Sequence, residues 1–298
     1  MIGIFGRGNI SKNYVEVFES LGINYKIIVR NNQNKLDWIS NFKKNIILEN
    51  QLDYTSFKKW IIATNPESHK IVIDKIRSRS KLEPIICEKP FSYLDKDYDS
   101  YINDNNLYIA MNRRFYPWVD SIKDLHVNKE ISNVYFYIPE TVKRFKNINE
   151  SILGNSIHLI DLFFFLFGKP SNEIKMINHY NQFLFCHITE NNTSAILEIA
   201  KNVEDNCYIR LVLKNNRNLY IKPIEILKEI VSFKKIPPNK EKSYAQYQPI
   251  FKNLISLNGI FKPGFELMLK SILNDDYSRL PKINEAFWTN RFIKENAL

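Results

Sequence analysis

Two stretches of this chain carry side chains able to move protons. Glu88 and Lys89 stand together in Cys87-Glu88-Lys89-Pro90 at the end of an apolar run, and His158 stands three residues before Asp161 in GNSIHLIDLFFFLFG. A lysine can exchange a proton with a reacting hydroxyl or carbonyl, provided burial or neighbouring charge brings its pKa down. Read alone, Glu88 and Lys89 are equally two exposed charges on a loop, and a histidine beside an apolar run is equally a core residue. Aimed together at one cleft, they are the pair that acid–base chemistry on an alcohol requires. A third stretch could hold the other reagent. Gly6-Arg7-Gly8-Asn9-Ile10-Ser11 has the glycine spacing of a tight turn that lets backbone approach a pyrophosphate and opens a helix whose N-terminus favours negative charge. Ser11 occupies the place where a third small residue lets helix pack on strand.

A dinucleotide turn asks for an acid about 20 residues further on, to hold the ribose hydroxyls of NAD. Twenty-two residues after Gly8 stands Arg30, followed by Asn31 and Asn32, with no carboxylate. A guanidinium there can pair with a 2′-phosphate and stack on adenine, so NADP(H) is expected in preference to NAD(H). The plain alternative is a solvated arginine at a turn. Arg113, Arg114, Lys143 and Arg144 flank the expected cleft. Arginine grips carboxylate and phosphate in bidentate fashion, which points to an acidic substrate.

These groups need elements to carry them. Residues 1–118 alternate short apolar runs with longer helical periods, the pattern of βαβ units and a parallel sheet. Strands are expected over 1–5, 25–29, 60–63, 84–87 and 107–111, with helices over 10–21 and from Pro66 onward, the latter turning Ile71, Val72 and Ile76 inward. The loops TNPESH, EKP and NRRF then fall at strand carboxyl ends, where open α/β sheets bind ligands. After Pro117 the pattern changes. Strands over 134–138, 183–188, 194–199, 208–213 and 219–221, separated by Asn-rich turns, read as an antiparallel sheet. A helix closed by Gly168 and Pro170 lies between the first two, and helices over 264–273 and 283–296 finish the chain. Two domains are expected, 1–118 and 119–298, with the last helix able to pack back on the first.

Composition bounds the function. A chain of 298 residues with 44% hydrophobic and 25% charged residues can bury a sizeable core and suits two domains. The net charge of +10 is dispersed rather than gathered in a basic helix or arm, which argues against nucleic acid and for small anions. Cys87, Cys186 and Cys207 lie far apart, so reduced, buried thiols are expected and no metal site. The apolar run 159–167 is interrupted by Asp161 and is shorter than the roughly 20 residues of a membrane span. It reads as a buried helix, and no membrane attachment is expected. No charged segment followed by an apolar one precedes the first strand, so the expected location is cytoplasmic.

Taken in order, GIFGRGNIS, ATNPESH, CEKP, NRRF, HLIDLFFFLFG and LPKINEAFWTNRFI make the chain resemble the glucose-fructose oxidoreductase, inositol dehydrogenase and rhizopine-catabolism family, Gfo/Idh/MocA, over nearly its whole length. The resemblance implies an α/β fold, an N-terminal Rossmann domain with a parallel sheet and a C-terminal α/β domain with a large, mostly antiparallel open sheet. It also implies homodimers or homotetramers formed through that sheet. By position, Gly6, Arg7, Gly8, Asn9, Ile10 and Arg30 would hold the cofactor, with Thr64, Asn65, Pro66, His69 and Glu88 beside the nicotinamide ribose. Lys89 looks like the family's catalytic lysine and His158 like its helix histidine. Substrate contacts would come from Lys89, Arg113, Arg114, Arg144, Asn155 and His158. One departure stands out: the family commonly has Asp four residues before the histidine and Gly two before it, where this chain has Gly154 and Ser156.

The function expected is an NADP-dependent oxidoreductase. It would interconvert a hydroxyl and a ketone on a sugar or sugar derivative, nucleotide-linked and acidic sugars of surface polysaccharides included, with Lys89 as acid and base. Two alternatives remain open: a non-catalytic sensor that binds the dinucleotide, and an enzyme that uses the nicotinamide transiently during sugar elimination or hydrolysis.

Overall fold

A computed structural model describes residues 1–30, 38, 41–80, 82–142, 145–170, 175–179, 181–238, 242–257 and 259–296. Asn31, Asn32, Lys143 and Arg144, on which part of the expected ligand grip rests, lie outside the described residues. The chain divides into two compact units. One comprises Met1–Phe115, Leu153–His158 and Gly259–Glu295, the other Tyr116–Ile152, Leu159–Asn258 and Asn296–Leu298. The second unit is therefore not the continuous 119–298 that the sequence pattern suggests.

The first unit holds strands β1 (Ile2–Phe5), β2 (Tyr25–Val29), β3 (Ile46–Leu48), β4 (Lys59–Ile62), β5 (Ile85–Glu88) and β6 (Leu107–Ala110). They run in the order β3-β2-β1-β4-β5-β6 with every pair parallel. A parallel sheet is covered on both faces, so its strands read as continuous apolar runs; β1, β5 and β6 are buried at every position. Within β1, a Cβ on Gly3 would stand 2.4 Å from the ring of Trp60, its register partner on β4. The three-residue β3 escaped the sequence reading because a short, half-buried edge strand leaves almost no pattern.

Helix α1 (Asn9–Ser20) buries Ser11, Tyr14, Val15, Val17 and Phe18, the stripe that a 3.6-residue period presents to a sheet. Helix α2 (Pro66–Arg77) begins on Pro66, whose missing N–H costs nothing at a first helical position, and buries His69, Val72, Ile73 and Ile76. Ile71, expected inward, is 51% exposed; Ile73 falls on the stripe that Val72 and Ile76 define, and Ile71 does not. A short helix, α3 (Asp95–Asp99), follows β5.

In the second unit α4 (Val119–Val127) precedes strands β7 (Ile131–Glu140), β8 (Lys175–His179), β9 (Gln182–Ile188), β10 (Ser194–Lys201), β11 (Tyr208–Leu213), β12 (Asn218–Ile221), β13 (Ile226–Ile236) and β14 (Gln246–Ser256). Their order is β14-β13-β12-β11-β7-β10-β9-β8. Only β7 and β10 pair in parallel; the other pairs are antiparallel. Between β7 and β8 a helical turn (Ile148–Ser151) and a π-helical segment (Ile152–Ser156) lead into α5 (Ile157–Phe167). Phe163 and Phe167 of α5 lie 5.2 and 6.0 Å from Phe136 of β7. The whole stretch Ile148–Phe167 is long and apolar enough to cross a membrane by length and composition, but 83% of its most apolar window is buried within the protein. It is a core helix.

Helices α6 (Phe265–Leu273) and α7 (Ile283–Asn296) close the chain. The apolar face of α6, with Phe265, Met268, Leu269 and Ile272, belongs to the core that contains Ile4, Tyr14, Phe18 and Ile61. From α7, Phe287 packs on Tyr98 at 5.0 Å and Lys294 donates to the carbonyl of Tyr93 at 2.7 Å. An amphipathic helix must cover its apolar face, but its period does not say which sheet will do it.

Candidate active site

The chain leaves β1 at Phe5 and turns into α1 through Gly6, whose φ of +124° lies in the left-handed region. A Cβ on Gly6 would stand 2.3 Å from the carbonyl oxygen of Ala63, so glycine alone fits. Gly8 differs, because a Cβ there would meet nothing within 4 Å. It caps α1 without a side-chain hydrogen bond, and the first turn holds no acid, which leaves the helix's first N–H groups available to an anion. Both glycines border a crevice of about 440 Å³, whose walls include Arg7, Val29, Arg30, Glu49, Thr64, Asn65 and Ser68. A bare turn, unspent N–H groups and a crevice at the point where strand order reverses fit a dinucleotide. Arg30-Asn31-Asn32 holds no carboxylate, but Glu49 arrives from the end of β3. It lies 3.9 Å from Arg30 and 2.5 Å from Lys75.

Beyond β5 the proton-moving groups gather. Glu88 is buried and accepts a hydrogen bond from the hydroxyl of Tyr14 at 2.7 Å. Burial pushes the Glu88 carboxyl up from its usual range, against the pull of Lys262, the Tyr14 hydrogen bond and Lys89. The half-buried Lys89 sends Nζ to the carbonyl oxygen of Gly154 at 2.5 Å. Gly154 stands where the resemblance implies a carboxylate, and it is its backbone carbonyl that receives the lysine. The π winding of Ile152–Ser156 suits this, because its extra residue interrupts the regular helical ladder, a feature frequent at functional sites. His158 is 6% exposed, and its Nδ1 has no hydrogen-bond partner. Burial first, then Lys89, Arg113 and Lys262, hold its imidazole well below 6.5. At neutral pH the ring is therefore neutral and is not an acid.

Other expected residues take different places. Pro66 and Glu88 do not line the crevice, while Asn9 and Ile10 are the first residues of α1 and offer it backbone N–H groups rather than side chains. His69 is fully buried, with Nδ1 3.0 Å from the carbonyl of Phe91 and Nε2 3.0 Å from that of Thr64. It ties the loop after β4 to the loop after β5 rather than facing a ligand. Burial lowers its pKa, and a neutral ring donates to one of those carbonyls only. Arg114, expected at the substrate, is 2% exposed and donates to Glu285 at 2.6 Å; packing consumes it. Arg113 stays half-buried and acts on both His158 and Lys262. Asn155 is exposed on the π segment. Tyr14 and Lys262 were missed. Tyr14 looks like any core residue of α1, and Lys262 lies in a motif-free loop more than 170 positions from Glu88.

Neither a protein-family model nor a curated protein sequence matches the chain. Solved structures do. A super-repressor mutant of Gal80p from Saccharomyces cerevisiae is 13% identical with a TM-score of 0.73, over 99% of this chain and 94% of that one. A Gfo/Idh/MocA family oxidoreductase from Vibrio cholerae is 13% identical with a TM-score of 0.71, over 97% and 94%. The UDP-N-acetylglucosamine 3-dehydrogenase GnnA from Acidithiobacillus ferrooxidans is 13% identical with a TM-score of 0.66, over 99% and 94%. At such identity the likeness shows the fold: a parallel dinucleotide-type sheet with a second, mostly antiparallel one, as in the Gfo/Idh/MocA oxidoreductases.

Proposed function

We propose that the chain is an NADP(H)-dependent oxidoreductase that interconverts a hydroxyl and a ketone on a sugar or sugar derivative. The observation that carries the reading is Lys89, held by a neutral carbonyl beside a buried histidine that cannot itself supply the proton. When bound, the dinucleotide supplies the carrier of hydride. The first N–H groups of α1 and the Gly6 turn bind its pyrophosphate, and Arg30 meets the 2′-phosphate. Thr64 and Asn65, on the crevice wall, border the ribose near the nicotinamide. Lys89 Nζ donates a proton to the substrate oxygen as a ketone becomes a hydroxyl and takes it back in the reverse direction. The Gly154 carbonyl orients Nζ without neutralising it. His158, neutral, makes one hydrogen bond to the substrate and orients it.

Replacing Lys89 with Met tests the assignment. General acid–base catalysis is worth about 10²- to 10⁴-fold, so turnover of NADPH with a keto-sugar panel should fall by that much while NADPH binding stays within a few-fold. Unchanged turnover sinks the role of Lys89. A second reading, a dinucleotide-binding sensor, draws on Gly154 in place of a carboxylate and on the likeness to a repressor; NADPH oxidation with any keto-sugar dismisses it. The same proposal includes a homodimer or homotetramer built through the second sheet, whose terminal hairpin exposes Val231, Phe233, Tyr247 and Phe251. Light scattering that finds a monomer at micromolar concentration rejects that assembly.

A further inference from the structure

Lys262 has no part in the proton transfer above, yet it stands in the same cluster. It lies in the loop before α6, half-buried, with Nζ 4.7 Å from the ring centroid of Phe265. Phe265 packs on Tyr14 with 5.0 Å between rings, and Tyr14 donates to Glu88. A chain of contacts thus leads from Lys262 to the residue preceding Lys89. The same loop is clamped to the one that carries Arg113, because Asn112 Nδ2 donates to the carbonyl of Pro263 at 2.7 Å. Gly264, at a φ of +77°, makes the left-handed step that turns the chain into α6.

Charge in this cluster is one-sided. Lys89, Arg113 and Lys262 all act on buried His158, and the carboxyl that acts back on Lys262 is that of Glu88, which burial disfavours as an anion. Burial also draws the Lys262 ammonium below its ordinary value, a trend that Glu88 opposes and Arg113 reinforces. Gathering cations where water is partly excluded costs free energy unless an anion balances them. Beside them the unpartnered Nδ1 of His158 offers a neutral hydrogen-bonding group.

We propose that Arg113 and Lys262 form an oxyanion subsite next to Lys89 and His158, and that the substrate carries a carboxylate or phosphate group that they bind. The proposal deepens the oxidoreductase reading and rests on it for the statement that the bound anion is a substrate. Binding is therefore measured apart from turnover, by calorimetry on the NADPH-loaded protein with glucose, glucuronate and glucose 6-phosphate as probes. At least one of the two anions should bind tenfold or more tighter than glucose, a difference of about 1.4 kcal/mol. Lys262→Met should erase that advantage and Lys262→Arg should keep most of it, with melting temperatures recorded to confirm folding. Which anion wins tells carboxylate from phosphate. Equal binding of all three probes, binding of neither anion, or an unchanged preference in Lys262→Met overturns the subsite. If the wild-type protein turns over no keto-sugar yet the Lys262-dependent anion preference holds, the oxidoreductase reading falls and the subsite stands. Should Lys262→Met fail to fold, the wild-type comparison and Lys262→Arg still decide the matter.

Discussion

Glu49 stands in the crevice beside the Gly6 turn, between Arg30 at 3.9 Å and Lys75 at 2.5 Å. A 2′-phosphate drawn to Arg30 therefore also meets a carboxylate, whose charge Lys75 partly offsets. Arg30 is 61% exposed along its side chain, so solvent screens these pairs to about 1 kcal/mol or less. Wild-type protein is expected to bind NADPH more tightly than NADH, and Glu49→Gln to tighten NADPH by roughly threefold to fivefold with little change for NADH. Calorimetric titration of both cofactors checks this, and tighter NADH binding by the wild-type chain overturns the preference. At this scale the sequence displayed Arg30 but not its carboxylate neighbour. Local spacing reaches only along one strand and its turn, whereas Glu49 follows directly on β3, which parallel pairing sets beside β2. Lys89 and His158 were legible from their motifs. Lys262, brought near by the packing of α6, was not.

The turn between β1 and α1 separates two uses of glycine. Gly6 answers to the protein's own backbone, since it has a positive φ and a Cβ would collide with the carbonyl of Ala63. Gly8 answers to nothing within the chain. Gly6→Ala should destabilise the unliganded protein by about 1–3 kcal/mol, seen as a lower melting temperature. Gly8→Ala should leave that temperature in place and weaken dinucleotide binding about tenfold, because only the approaching pyrophosphate would meet the new methyl group. Equal melting losses in both variants would contradict the division. Elements buried on both faces were easy to read: β2 is found at its expected bounds, 25–29, and β1, β5 and β6 lie within a residue of theirs at each end. The long β13–β14 hairpin was not, because Val231 and Phe233 point apolar groups at solvent and the adjacent apolar pair Ile230-Val231, where the register with β14 shifts, breaks the alternation that marks a half-buried strand.

Across the whole molecule, His69, His126, His158 and His187 are all buried. Burial draws each below 6.5, His187 to about 4. An unfolded chain protonates these rings as pH falls through about 6.5, while the folded protein resists. Stability should therefore be level above about pH 6.5 and decline as pH falls toward 4, where the unfolded state binds more protons. Glu88, held up by burial, works in the opposite direction as one group against four. His187 packs 5.7 Å from Phe163 and 5.3 Å from Phe185, with neither ring nitrogen hydrogen-bonded. His187→Phe should accordingly raise stability at pH 7 and make the decline shallower, as melting curves between pH 7.5 and 4.5 will show; a parallel decline rejects the role of His187. The sequence by itself determined what depends on near neighbours: strand and helix periods, the glycine turn, the lysine at a strand end and the histidine on an apolar helix. Only the tertiary structure decided that residues 259–295 join the first unit, that a backbone carbonyl receives Lys89 and that Lys262 comes within electrostatic reach of Glu88 and Arg113. These outcomes follow from which apolar faces cover one another, and that choice is made between segments far apart in the chain, where no local period can record it.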